Sequence, residues 1–457
     1  MRLFFMTTLL AACANASGSA TAEGALSASI VCLAPIGGWN VKLQGSTWND
    51  EADAIAADNS DCAIYLAGDT VNVLPGATSF GGQDAFLIRY NSSGSVVWTR
   101  QFGSLLGSDE AEWATGVAVS ANHEIYVTGC TTGQMTNAPE TNAGGTDVFL
   151  AKYDHDGNQL WIHQFGTTTD DCSTGVAVGV SGGVFVVGST HAFLPGSLSA
   201  YFGGADAFLV KYSSAGVRQF TQMLGSPVDD EASAVAIGPS GNVYVTGDTE
   251  EDLPRFANFP DEQGTRNGGA DIFLAKYDPT TGAPIWLRQR GTSGEDRANG
   301  VVVNDSNEVF LTGYTNGWFD GIPTHGLEDI VVISYDTAGT WRWTDQRGSL
   351  GDDRGTAITV DSSGTPFVTG YASSTVDGEP YAGGTSDVVV IKYGRAGVHR
   401  WTADLGERDN ERPTGIAAGV GDDLFVGGFT DGNLGNALGF GENDAFVARF
   451  SQTGDLD

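Results

Sequence analysis

Gly203-Gly204-Ala205-Asp206-Ala207-Phe208-Leu209-Val210-Lys211-Tyr212 opens a pattern that continues through Gly225, Asp229-Asp230 and Val243-Tyr244-Val245-Thr246-Gly247. The same succession of an aspartate, an apolar run, a turn and further valine-rich runs recurs seven times along the chain. Counted on the opening aspartate, the copies stand at Asp84, Asp147, Asp206, Asp271, Asp329, Asp387 and Asp444. Their separations are 63, 59, 65, 58, 58 and 57 residues. Self-similarity at such a period marks a repeat architecture, and variable spacing between constant runs confines the insertions to loops.

Each period offers four strands. In one copy they read Thr115-Gly116-Val117-Ala118-Val119, Ile125-Tyr126-Val127-Thr128-Gly129, Asp147-Val148-Phe149-Leu150-Ala151-Lys152-Tyr153 and Gln159-Leu160-Trp161-Ile162-His163. All are short, rich in β-branched and aromatic residues, and bounded by turn formers. No window carries a helical period. The chain is therefore expected to be all-β, a single seven-bladed β-propeller with four antiparallel strands per blade. The last copy ends at Phe450 without its tryptophan strand, while Trp39-Asn40-Val41-Lys42-Leu43-Gln44 precedes the first copy as an unmatched one. The N-terminal strand should join the last blade and close the ring, making residues 39–457 the propeller.

The 65 glycines of the 457 residues suit a fold with many turns. The 56 acidic and 22 basic side chains give a net charge of −34. That charge disfavours nucleic acid and anionic membrane surfaces as partners and suits cations or basic proteins. It also keeps a turn-rich surface soluble.

The N-terminus reads as an export signal: Arg2, an apolar run from Leu3 to Leu10, then small residues. Two cleavage patterns overlap. Leu10-Ala11-Ala12-Cys13 resembles a lipobox, with Cys13 as the lipidated residue, whereas Ala14-Asn15-Ala16 fits cleavage before Ser17. Residues 1–16 are thus assigned as a signal peptide and 17–38 as a small-residue tether. The expected location is outside the cytoplasm, as an outer-membrane or envelope lipoprotein or a secreted protein. No later run approaches the ~20 apolar residues that span a bilayer, so a lipid anchor would be the only membrane attachment. Cys32, Cys62, Cys130 and Cys172 match no zinc spacing. The preferred disulfide is Cys130 with Cys172, whose loops should share a face.

Gly-Gly-x-Asp-Ala-Phe-Leu-x-Lys-Tyr, a turn glycine, the acidic pair and Val-Tyr-Val-Thr-Gly resemble the bacterial SBBP family, the seven-bladed β-propeller repeat. Asp206–Tyr212, Gly225, Asp229-Asp230 and Val243–Gly247 carry the match in one copy. The resemblance implies an exported or surface-associated protein with no shared reaction. The copies are degenerate: Phe220 replaces the tryptophan once, and the double glycine is lost before Asp329 and Asp444. Tyr277-Asp278-Pro279-Thr280-Thr281-Gly282-Ala283-Pro284-Ile285-Trp286 is similar to the tryptophan-docking motif of quinoprotein dehydrogenase propellers. That second likeness implies an innermost Ala/Val strand and an outermost tryptophan strand. The loops after the tryptophan strand and before Gly-Gly-x-Asp then share one face.

Function is expected on that face, because loops on a rigid scaffold carry binding. One loop set is acidic, with Asp50, Asp109, Asp171, Asp230, Asp296, Asp353 and Asp409 as candidate metal ligands. Ca²⁺, which takes six to eight oxygens, is the ion such loops would suit. The plainer reading is that short aspartates close turns on backbone amides. The other loop set is long and variable, with Phe256, Trp318 and Phe319 as candidate ligand contacts or as rim packing. Asp154-His155-Asp156-Gly157-Asn158 resembles half a calcium loop but aligns with ordinary hairpin turns.

The six histidines show no metal or catalytic spacing, and no nucleophile elbow or phosphate loop is present. The expectation is a non-enzymatic, monomeric, surface-associated binding scaffold engaging a protein or glycan through one face. Two alternatives stand beside it. One is a structural envelope protein with cation-stabilised acidic loops; the other is an acid/base hydrolase or lyase using carboxylates near the central channel.

Overall fold

The valine-rich runs become strands in four-membered antiparallel sets. The computed structural model describes residues 41–104, 108–253, 268–435 and 437–456. Among them lie 28 strands and two short 3₁₀ turns, Phe319–Gly321 and Val420–Asp422. One repeat shows the plan: Asp171–Val178, Val184–Thr190, Asp206–Tyr212 and Arg218–Leu224 pair side by side in chain order. Burial follows position in that order. The second and third strands lie between neighbouring sheets and are buried along nearly their whole length. The fourth, of which Gln159–Phe165 is an example, is buried only toward its end and partly exposed before it.

Seven innermost strands border one central channel, and the chain is an all-β propeller. The sheets are not all separate, as the repeat count led us to expect. Five stand alone with four strands each, and a sixth has eight strands. In the eight-stranded sheet, Gly81–Tyr90 spans 10 residues and Ser108–Val119 spans 12, against 7 and 8 for Asp147–Tyr153 and Asp171–Val178. These extra residues pair in parallel, Gly81 with Ser108 and Gln83 with Ala111, and fuse the first two four-stranded sets. Elsewhere the junction is reduced to one or two backbone bonds, such as Asp230 N–H to Ala205 O at 2.7 Å, or Leu327 N–H to Gly351 O at 3.1 Å with Asp353 N–H to Glu328 O at 2.9 Å.

The expected closure is present. Lys42–Gln44 pairs antiparallel with Asp444–Phe450, Leu43 opposite Phe446, as the outer strand of the last set. Thr414 Oγ1 also donates to Ala52 O at 2.6 Å, tying the last innermost strand to the first.

Two repeat signatures have direct packing causes. In each innermost strand a β-bulge skips one residue, as between Ala232 and Ala234, and drives the preceding carbonyls toward the second strand. A Cβ on Gly247 would collide with Glu231 O, so the second strand carries a glycine after its threonine. The tryptophans dock on the next set. Trp98 Nε1 donates to His155 O at 3.1 Å, Trp286 to Thr337 O at 3.3 Å, Trp343 to Arg395 O at 3.0 Å and Trp401 to Gln452 O at 3.1 Å. Docking thus recurs in several copies beyond the one whose sequence resembles the motif. The turn glycine beneath, Gly339 for example, has φ +78°, and a Cβ there would sit 3.0 Å from Trp286.

Cys130 and Cys172 form a disulfide with Cα atoms 5.1 Å apart, stapling Ile125–Thr131 to Asp171–Val178 in the next set. Among the described residues no helix is long and apolar enough to cross a membrane.

Candidate functional site

The residue left over by each bulge turns toward the channel. Asp53, Thr115, Thr174, Ser233, Asn299, Thr356 and Thr414 form this ring, six of them neutral. Their side chains link one innermost strand to the next. Thr115 Oγ1 donates to Ser173 O at 2.8 Å, Thr174 Oγ1 to Ala232 O at 2.6 Å and Asn299 Nδ2 to Gly355 O at 2.8 Å. Together with this ring, Ile55, Val117, Val176, Val235, Val301, Ile358 and Ile416 line a passage of about 240 Å³.

On the side of the acidic and variable loops the channel widens into a vestibule of about 530 Å³. Its wall is asymmetric. Three successive sets place an arginine just ahead of the bulge, in Asp296-Arg297, Asp353-Arg354 and Glu411-Arg412. The Arg354 guanidinium lies 4.2 Å over the Tyr314 ring, and that of Arg412 lies 4.8 Å over Tyr371. Arg297 pairs with Asp248 at 2.6 Å, and Arg354 with Glu328, Nη2 to Oε1 2.9 Å. Arg412 is exposed. Trp113 also lines the vestibule. This Arg–Tyr arc was missed in the sequence; its signal was an acid-Arg dipeptide at one repeat position in three copies.

The first set is acidic instead. Burial, then the charges of Asp69 and Glu51, hold the Asp53 carboxyl well above the usual carboxylate range. Asp69 is pushed up to about 7, chiefly by burial, although Gln83 Nε2 donates to it at 2.6 Å. The two carboxyls hydrogen-bond to one another, so a proton between them relieves their repulsion.

The candidate metal ligands divide. Asp50, Asp171, Asp230, Asp296 and Asp353 occupy one equivalent position, fully buried at the start of an innermost strand. Asp109 and Asp409 do not. Glu112 and Glu411 stand there instead, opposite Thr131 and Thr430 as Asp171 stands opposite Thr190. An insertion between Asp84 and Glu112 takes Asp109 out of register, whereas Asp409 lies two residues ahead of Glu411 in a copy of ordinary spacing. The buried aspartates do cap turns: Thr167 N–H, Ser226 N–H and Ser349 N–H each donate to the strand-starting aspartate at 2.5 Å. The Gly-Gly-x-Asp position does likewise, with Ala143 N–H donating to Asp147 and Phe202 N–H to Asp206 at 2.7 Å.

Of the aromatic candidates, Trp318 is 66% exposed. Phe319 is buried at 1%, a correction to its reading as a ligand contact. Its amide donates to Gln346 Oε1 at 2.9 Å, and the Arg290 guanidinium lies 5.9 Å over its ring, which folds it into the core. Phe256 and Cys13 lie outside the described residues. The Asp154 turn is a capped hairpin, Asp154 Oδ1 accepting from the Asp156 and Asn158 amides.

At the channel's other end, Asp58, Asp61 and His123 come close enough to share a metal ion. His123 Nδ1 is 2.6 Å from Asp58, while Asp61 is 2.7 Å from both His155 and Arg89. The Arg89 ion pair accounts for Asp61 without a metal. These residues come from different copies, which hid them from spacing arguments.

No family model matches the chain. It is 25% identical over 442 residues to the regulatory protein FlaEY of Caulobacter vibrioides, covering 89% of this chain and 45% of that one. It is 22% identical over 277 residues to an uncharacterized WD repeat-containing protein of Acanthamoeba polyphaga mimivirus, covering 50% of this chain and 19% of the relative. The chain thus spans less than half the length of these relatives. Among solved structures, the Dos1 propeller aligns with 90% of the chain at 9% identity and TM-score 0.40. A gluconolactonase from Xanthomonas campestris aligns with 80% at 12% identity and TM-score 0.37.

Proposed function

We propose that the chain is a non-enzymatic scaffold, exported and held at the cell surface, that binds a protein partner on the face where the vestibule opens. Its frame is seven-bladed, the fused sheet counting as two blades. The observation that carries the reading is the Arg354–Tyr314 and Arg412–Tyr371 arc beside Trp113 in a chain of net charge −34. Arginine and large aromatics dominate the energetic centres of protein interfaces. At the same end of the strands the loops expose Leu198, Trp318, Leu350, Leu438 and Phe440, apolar surface available to a partner. A partner segment bearing a carboxylate would pair with Arg412 while that surface excludes water.

The test compares the full chain, an Arg354→Glu/Arg412→Glu variant and a Val180→Glu variant, in cross-linking on intact cells of the source organism. Val180 is 92% exposed on a turn at the opposite end. A partner retained by Val180→Glu and lost by the arginine variant supports the arc; equal retention by all three contradicts it. Sequencing the mature N-terminus tests export: a chain starting at Cys13 or Ser17 supports it, and one retaining Met1 contradicts it. The acid/base alternative rests on the proton-sharing Asp53–Asp69 pair, and substrate turnover abolished by Asp53→Asn would be needed to revive it.

A further inference from the structure

Each junction between sets buries two carboxylates, and their placement goes beyond what turn capping requires; the argument stands independently of the binding face. Asp147, Asp329 and Asp444 are fully buried, and each uses Oδ2 for a turn amide: Ala143, His325 and Phe440 N–H donate at 2.7, 2.8 and 2.7 Å. Their Oδ1 atoms have no hydrogen-bond partner. Those oxygens do not point at random. A Cβ on Gly166 would run into Asp147 Oδ1 and lie 2.9 Å from Asp171 Oδ2. A Cβ on Gly348 would run into Asp329 Oδ1 and lie 2.9 Å from Asp353 Oδ2. A Cβ on Gly45 would run into Asp444 Oδ1 and lie 3.3 Å from Asp50 Oδ2. In each case a glycine leaves room for two buried carboxylates to converge.

Two ionised carboxylates so placed repel, and a bare buried oxygen is costly to leave unpaired. Among the described ion pairs, no lysine or arginine reaches Asp50, Asp147, Asp171, Asp329, Asp353 or Asp444. Adjoining hydroxyls add oxygen donors: Thr167 Oγ1 is 2.8 Å from Asp171 Oδ2, and Ser349 Oγ is 2.9 Å from Asp353 Oδ1. All-oxygen donor sets suit hard divalent cations. We propose that the Asp147/Asp171, Asp329/Asp353 and Asp444/Asp50 pairs each hold a hard divalent cation, so that the junctions of the ring are cross-braced by metal. At two further junctions Asp206 and Asp387, each at the same repeat position ahead of the buried Asp230 and Glu411, also leave Oδ1 unpartnered.

The probe is Ca²⁺ alone, titrated into the chelator-treated full chain at pH 7.5, with stoichiometry from equilibrium dialysis and melting temperature from calorimetry. At least three equivalents are expected, with a rise of several degrees, because an ion bound only by the folded state stabilises it. Asp147→Asn and Asp329→Asn should each remove one equivalent, while Glu110→Gln/Asp170→Asn in the exposed acidic loops should remove none. Fewer than three equivalents on the wild-type chain overturns the proposal, whether or not the buried variants fold. So does uptake that survives Asp147→Asn and Asp329→Asn but falls with the exposed-loop variant.

Discussion

At the scale of single residues, the chain concentrates carboxyls where water does not reach. Burial pushes Asp230 up to about 6, Asp206 to about 7 and Glu411 to about 8, outweighing the hydrogen bonds that pull each down. The unfolded chain releases these protons near pH 4, the folded one only at higher pH. Between those limits the native state binds more protons than the unfolded state, so stability falls as pH rises and levels off above about 8. In EDTA, the melting temperature should be lower at pH 8 than at pH 5, and Asp206→Asn should flatten the slope. A melting temperature equal or higher at pH 8 would contradict the assignment. Asp53 and Asp69 are raised by burial in the same direction and follow the same rule.

At the scale of elements, the tryptophan-to-turn contact is the repeated joint between neighbouring sets. Trp286 is 4% exposed and donates to Thr337 O. Trp286→Phe should cost about 1 kcal/mol for the lost hydrogen bond, and Trp286→Ala about 3–5 kcal/mol for the lost packing, both read by chemical denaturation. Phe220, which fills the equivalent place with Gly282 beneath it, shows that the site accepts a phenyl ring. Equal losses for the two variants would mean that the indole N–H, not packing, holds the joint. The repeat period, the four strands and the docking aromatic were legible because the same packing demand recurs at each copy. The register of the buried acids was not: an insertion moves Asp109 off the position that Glu112 fills, and Asp409 stands two residues ahead of Glu411, where a glutamate replaces the usual aspartate. Nor was the burial of Phe319, since it depends on Gln346 and Arg290 from two other strands. The arginine arc escaped because only three copies carry it, so periodicity dilutes the signal. The fused sheet escaped because two elongated strands meet only in space.

At the scale of the whole molecule, the account rests on closure. The first strand belongs to the last set, so the ring is held by contacts between the two ends of the fold rather than by a continuous stretch of chain. Val41 and Leu43 are buried at 5% and 6%, and Leu43 covers Phe446 across the sheet. Burying two such side chains contributes roughly 3–6 kcal/mol, and their loss would expose the edge of Asp444–Phe450. The decisive measurement is calorimetric unfolding of the full chain beside one lacking residues 1–45. Closure predicts a melting temperature lower by several degrees in the shortened chain, with new hydrogen exchange at Ala445–Val447. An unchanged melting temperature and unchanged protection at Ala445–Val447 would contradict it.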